Sequence, residues 1–287
     1  MHGRLTLLVV ALVAPACLLV AALMYRAYRN EYIAISDKLL ATARAAADLV
    51  DRELKESDAI LRTLSASHSL VRGDLKTFDG VVRTALADDA RWFVLGDASM
   101  NQLINTRRPF GVELPLIPPN EEFETAMREG RAYISNLSYG SVSGDPVMHV
   151  SRPYHVGGRL RYSLTLVLDP RSFSEDINLR RFVAPTGLVS IVDRAGCVVA
   201  RSRAPEKFVG EPITPALRAM IEGRTEGVRD TVALDGEEGI TAFHRARESG
   251  WVAFVSVPKE QLVASAREMF VLGLACSGLL LATAGVL

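Results

Sequence analysis

Residues 191–213 read IVDRAGCVVARSRAPEKFVGEPI, and they decide how the rest of the chain is parsed. Two apolar strands flank a tight Arg-Ala-Gly turn, and the loop that follows ends in Val-Gly before Thr214-Pro215 opens a helix that Gly223 closes. Strands at 227–234, 239–247 and 251–257 come next, separated by turn residues at Asp235-Gly236 and Glu248-Ser249-Gly250. The order is strand, strand, helix, then three strands. Toward the N-terminus the same order is present a first time. There, strands at 91–96 and 102–106 precede a helix at 120–129, a strand at 133–137, and strands at 146–156 and 159–168 joined by Gly157-Gly158, a strong hairpin signal. Two copies of one antiparallel topology with little residue identity point to an old duplication, and the fold class is α+β.

The 287 residues carry 33 basic and 33 acidic side chains. Zero net charge gives no case for nucleic acid, which needs a cationic face to displace counterions from phosphate. The mean hydropathy is positive, and its source is local. Residues 5–25 and 269–287 contain no charged side chain, and each approaches the roughly 20 apolar residues that cross a bilayer. A cleaved signal ending near Ala21-Ala22 is the other reading of the first run, but a cleaved signal's apolar core is about 7–15 residues, so an uncleaved anchor is expected. Two transmembrane helices then flank one soluble block of about residues 26–268, and the few charges beside the first span, Arg4 before it and Arg26 and Arg29 after it, leave open the side of the membrane on which that block lies. Cys17 and Cys276 lie in the spans, which leaves Cys197 alone in the block, with no disulfide framework.

From 30 to about 70 there is no proline or glycine, and apolar residues follow a heptad: Leu40, Ala47, Leu54 and Leu61, with Ala43, Val50, Ser57 and Leu64 offset by three. Such a helix of about 40 residues would be about 60 Å long. The stripe is wide enough to pack on the chain's own domain with one flank and on a second copy with the other, so a homodimer through the stalk helix is expected. The chain divides into a leader and anchor (1–25), the stalk (26–72), a membrane-distal module (73–170), a connecting helix (171–186), a membrane-proximal module (187–258), and a return helix with the second span (259–287).

This arrangement resembles a double Cache sensor, with tandem PAS-like modules between an anchor, a stalk and a return helix. The resemblance rests on SIVDRAGCVVARSRAPEKFVGEPI (190–213) and TAFHRARESGWVAFVSVPKEQL (241–262), which are similar to segments preceding histidine kinase output domains in bacterial members. YISNLSYGSVSGDPVMHVSRPYHVGGRLRYSLTLVLD (133–169) matches in pattern. The resemblance implies an extracytoplasmic sensory and signalling region, of a two-component histidine kinase in the first instance, with a diguanylate cyclase or chemoreceptor as the alternative output. It also implies a small-molecule ligand in the distal module. The family's amino-acid-binding members carry an Arg-x-Trp-Tyr element after the second distal strand, where this chain has NTRRPFGVELP (105–115); an amino-acid ligand is therefore not supported.

Nothing in the sequence points to catalysis, a metal or a cofactor, since no His-Glu-x-x-His, Cys-x-x-Cys, phosphate loop or nucleophile elbow is present. His149 and His155, six apart on one strand, would lie about 20 Å apart, too far to share an ion. A membrane-tethered structural or enzymatic module remains the reading of another class. For ligand binding, strand alternation puts Val147, His149 and Ser151 on one face and Met148, Val150 and Arg152 on the other. With the first face concave, Arg107, Tyr133, Tyr139, His149 and Ser151 are the groups expected to converge on a ligand. Trp92 and Trp251 read as core anchors. Arg201 and Arg203, alternating about Ser202, read as a solvated face, and the proximal module as a coupling element.

Overall fold

The computed structural model describes residues 2–87 and 91–260. A single helix, α1 (His2–Ser65), runs through Pro15 and carries the heptad stretch. Two short helices follow, α2 (His68–Arg72) and α3 (Leu75–Ala85), the second capped by Asp74, which accepts from Thr77 N. The distal module comprises β1 (Arg91–Asp97), β2 (Gln102–Asn105), α4 (Glu121–Arg128), β3 (Tyr133–Ile134), β4 (Ser138–Tyr139), β5 (Pro146–Val156) and β6 (Arg159–Leu168). A linker with α5 (Pro170–Asp176) leads to the proximal module: β7 (Leu188–Val192), β8 (Val198–Arg201), α6 (Pro205–Phe208), α7 (Pro215–Ile221), β9 (Glu226–Val232), β10 (Glu238–Arg245) and β11 (Val252–Pro258).

Strand order is β2-β1-β6-β5-β3 in the first sheet and β8-β7-β11-β10-β9 in the second, all neighbours being antiparallel. Counted within each module this is one topology repeated, as the sequence order predicts. Gly157 and Gly158 both take positive φ, the requirement of a tight primed turn. Gly196 closes the β7–β8 turn at φ 86°, a left-handed conformation that strains any residue with a Cβ. The two-residue β4, which pairs with β5 off the main sheet path, is too short to show in the sequence.

The largest apolar cluster joins α1 to both sheets. The inward stripe of α1 packs against Phe93, Leu95, Leu164 and Leu166 of the distal sheet and Val189, Ile191, Ala242 and Val255 of the proximal sheet. Polar bonds fix its register along both sheets. Asp58 takes a bidentate pair from Arg152 of β5, at 2.7 and 2.8 Å. Asp51, itself buried, accepts from Glu248 N, Ser249 N and Ser249 Oγ in the β10–β11 turn. Arg44 grips Glu226, which also accepts from or pairs with His244 Nδ1, and the Arg44 bond holds the Glu226 carboxyl down at about 2.

This packing corrects the expected dimer seam. Ala43 is 0 % and Val50 1 % exposed, and Ala47, Leu54, Ser57, Leu61 and Leu64 are likewise buried within the same chain. Heptad periodicity reports that a face is covered, and here the chain's own two sheets cover it. Among the described residues no helix is long and apolar enough to cross a membrane. The first expected span is the leading part of α1. The second, 269–287, lies outside the described residues, as does most of the return helix.

Candidate functional site

The two modules use the face turned away from α1 in opposite ways. In the proximal module that face is filled: Phe243 and Phe254 lie side by side on β10 and β11, 6.1 Å between ring centroids, and Leu217, Met220 and Ile221 of α7 close over them with Val192, Val198 and Val252. On the middle strands of the distal sheet the facing pair is Ser151 and Thr165. Two phenyl rings are replaced by two hydroxyl side chains, and α4 packs its Phe123, Ala126 and Met127 against Tyr133. Tightly packed interiors leave no such gap unless it is held open. The result is a cavity of about 330 Å3.

Its floor is the distal sheet. Trp92 and Val94 alternate on β1, Thr165 and Val167 on β6, and Val147 and His149 on β5. The roof is the segment after β2, through Ile117, Pro118 and Pro119, together with the turn from Ser138 to Ser143. Gln102 ties the two roof segments together, its amide donating to Pro115 O at 2.8 Å and Ser141 Oγ at 3.0 Å. Asn120 caps α4 by accepting from Phe123 N, which leaves its amide nitrogen 3.5 Å from the Tyr133 hydroxyl.

His149 is the most perturbed group there. Its ring stands edge-on to Phe123 and tilted against Tyr133, with centroids 5.9 and 5.7 Å away. Its remaining accessible surface is that of a cavity wall, and the loss of water around it lowers its pKa from 6.5 to about 4, so the imidazole is neutral at pH 7. Nδ1 lies 3.0 Å from Ser151 Oγ, which lies 2.8 Å from Thr165 Oγ1. Either hydroxyl can donate, so the chain can run in both directions and the ring can hold either tautomer. Nε2 has no hydrogen-bond partner among the described residues. Burial, then the nearby Glu122, raises the Tyr133 phenol.

Of the five expected residues, the structure places His149 in the cavity wall and Tyr139 at its mouth, the latter 73 % exposed. Ser151, 0 % exposed, and Tyr133 stand directly behind His149 as its supports. Arg107 is not in the wall: it is exposed to solvent, its guanidinium 3.9 Å above the Trp92 ring. Trp92, read as a core anchor, packs with Val94, Val147 and Val167 and is at the same time a wall. Asn105 was missed; it is a buried amide at the end of β2, and its side chain donates to Gln102 Oε1 at 2.9 Å. Arg201 also differs from expectation. It is 2 % exposed, bonded to Asp235 at 2.7 Å and stacked 4.0 Å over Phe208. Cys197 is partly exposed just before β8.

The opening stretch has a second role. Asp193, buried in the β7–β8 turn, accepts from its own Cys197 N and from Leu137 N of the distal module, both within 2.9 Å. Arg194 donates to Ile134 O and to Ser249 O. Leu137 and Ile134 bracket the segment that leads to Ser138 and Tyr139 at the cavity, so the proximal turn holds the distal cavity's rim from behind. A larger groove of about 900 Å3 between α5 and β8 has walls of both signs, including Asp169, Glu175, Arg171 and Arg201.

A tandem arrangement of this topology, with one hollow and one filled module, coincides with a family match: the Cache domain model of the tandem type (dCache) covers residues 25–266. The chain belongs to the Cache domain family. Solved Cache-fold structures resemble it along most of their length. One titled methyl-accepting chemotaxis protein X has 15 % identity and a TM-score of 0.62, covering 80 % of this chain and 99 % of that one. The extracellular domain assigned to a histidine kinase, rpHK1S-Z16, has 16 % identity and a TM-score of 0.58, covering 77 % and 94 %. The ligand-binding domain of Pseudomonas fluorescens chemoreceptor CtaA, solved with L-serine, has 13 % identity and a TM-score of 0.57, covering 80 % and 97 %. Among curated proteins none matches this Cache chain.

Proposed function

We propose that this Cache chain is the extracytoplasmic sensory and signalling region of a bacterial membrane receptor, of the histidine kinase type, which binds a small molecule in its distal module. The observation that carries the reading is the contrast between the modules: one topology, twice, with a cavity in one copy and phenyl rings in the same place in the other. His149, Ser151, Tyr133 and Tyr139 form the ligand site with Trp92 and Asn105, and Arg107 flanks it. The proximal module couples, through the Asp193 turn and the shared core under α1. Residues 5–25 and 269–287 are the membrane anchors in this reading, supported by their lack of charge and by the outward Leu18, Leu19 and Leu23. Two copies pairing through the stalk would use its outer face, where Ala41, Ala45, Arg52 and Ala59 are exposed. Chemoreceptors share the fold, and the coding sequence downstream of Leu287 distinguishes kinase, cyclase and chemoreceptor outputs.

Topology is tested in intact cells. Arg247 is exposed beside the β10–β11 turn. An Arg247→Cys variant in a Cys197→Ser background is expected to react with a membrane-impermeant maleimide before lysis, whereas reaction only after lysis would put the Cache modules in the cytoplasm and end the sensory reading as stated.

A further inference from the structure

We propose that the ligand of the distal cavity is an uncharged molecule with a flat apolar body and one or two neutral polar groups, such as a primary amide, a lactam or a hydroxyl. The inference rests on the sensory reading above and narrows it. Among the described residues, the cavity wall contains no aspartate, glutamate, lysine or arginine. Its polar members are amides, hydroxyls and His149, and the imidazole is uncharged at neutral pH for the reason already given.

The charged groups nearest the cavity have other contacts and do not line it. Arg107 stacks 3.9 Å from the Trp92 ring centroid and is exposed to solvent. Arg194, 6.0 Å from the Tyr133 ring centroid, donates to Ile134 O and Ser249 O and stands 3.7 Å from Glu122. Neither these nor Glu122 is part of the wall. A carboxylate or ammonium entering such a space loses its hydration and meets no opposite charge, so the charged form is strongly disfavoured. A zwitterion would lose the hydration of both ends.

The neutral groups that remain are well placed for an uncharged polar ligand. Nε2 of His149 is without a protein partner among the described residues, and the Ser151–Thr165 hydroxyl chain behind the ring lets that nitrogen act as donor or acceptor. The Asn120 amide nitrogen has only its long contact to Tyr133. Beside His149 on the same sheet face, Trp92, Val94, Val147 and Val167 offer an apolar wall against which a ring can lie. At about 330 Å3 the cavity is at the small end of ligand pockets, room for one or two rings.

Benzamide, benzoate and benzylammonium share one body and differ in charge, which makes them suitable probes for the full-length chain in detergent. Benzamide is expected to raise the thermal unfolding midpoint, with the two ions needing at least about tenfold higher concentration for the same rise. Val167→Trp, which fills the cavity, should remove the benzamide effect. Asn105→Asp, which adds a carboxylate without bulk, should reverse the order in favour of benzylammonium and keeps the test independent of whether the tryptophan variant folds. Equal or tighter binding of either ion to the parent chain overturns the neutral class and leaves the sensory reading standing. The same follows if none of the three acts but L-serine or L-leucine raises the midpoint. No rise with any of the five compounds removes both.

Discussion

Replacing Asp235 by alanine is expected to destabilise the chain by about 3 kcal/mol, because it leaves a buried guanidinium without its partner. Arg201 enters from β8 with almost no contact with water, its Nη2 bonded to Asp235 Oδ2 and its face against Phe208. Its Nε has no partner, so the single carboxylate bond carries the compensation for that charge. Asp235 sits in the β9–β10 turn and also accepts from Arg203, which pairs in addition with Glu237. Burial by itself would raise the Asp235 pKa, yet the two arginines outweigh it and lower the pKa, so the carboxylate is ionised at neutral pH. After its removal two cations share one remaining acid, Glu237. The cost should appear as a lower urea midpoint at unchanged slope. Removing the charge as well, in Arg201→Met with Asp235→Ala, should recover most of the loss, since an apolar side chain of similar volume needs no partner. A loss under about 1 kcal/mol for Asp235→Ala, the range of an exposed pair, would show that Arg201 does not depend on it.

Acidification supplies the second large effect. His149 has a folded pKa of about 4 against 6.5 unperturbed, so the unfolded chain takes up its proton first. Above pH 6.5 neither state is protonated and nothing is lost. Between 6.5 and about 4 the unfolded state gains progressively, and below about 4 both states carry the proton and the loss is complete. A shift of this size corresponds to about 3 kcal/mol, discounted toward 2 for the surface that His149 shows to the cavity. Carboxylates with lowered pKa, such as Glu226 and Asp58, also respond to acid, but at lower pH and equally in a His149→Gln chain. The stability difference between parent and His149→Gln is therefore the quantity to follow by chemical denaturation. It should move against the parent by about 2–3 kcal/mol from pH 7 to pH 4. A difference independent of pH would mean that His149 is hydrated.

Much of the architecture was legible because short-range rules govern it. Gly157-Gly158 and the Asp193-to-Gly196 turn mark hairpins by backbone requirements that few other residues meet, and the repeated order of elements follows from them. Faces of strands were legible too: the alternation Val147, His149, Ser151 separates the cavity side of β5 from the Met148 and Val150 side, which packs in the core with α1. What covers a face was not. The α1 heptad reads identically whether a partner helix or two sheets lie on it, and here Ala43 and Val50 meet the sheets. Long-range pairing was equally hidden. Arg201 looks like a surface arginine until the Asp235 turn, far along the chain, folds over it. Trp92 is the core anchor that the sequence suggests, but its second role as a cavity wall was hidden, since a wall of a cavity and a member of a core have the same apolar signature.

Hydrogen exchange of the whole chain, with and without a small molecule that raises its unfolding midpoint, tests most directly whether the distal cavity receives the ligand and the proximal turn responds. The account predicts slower exchange in 106–119 and 138–149, which roof and floor the cavity, and a change in 191–197, where Asp193 holds Leu137 N from the proximal side. Residues 213–221, packed on Phe243 and Phe254 with no comparable space, should exchange as before. Protection confined to 213–221 and 240–254, with 138–149 unchanged, would place the ligand in the proximal module and contradict the account.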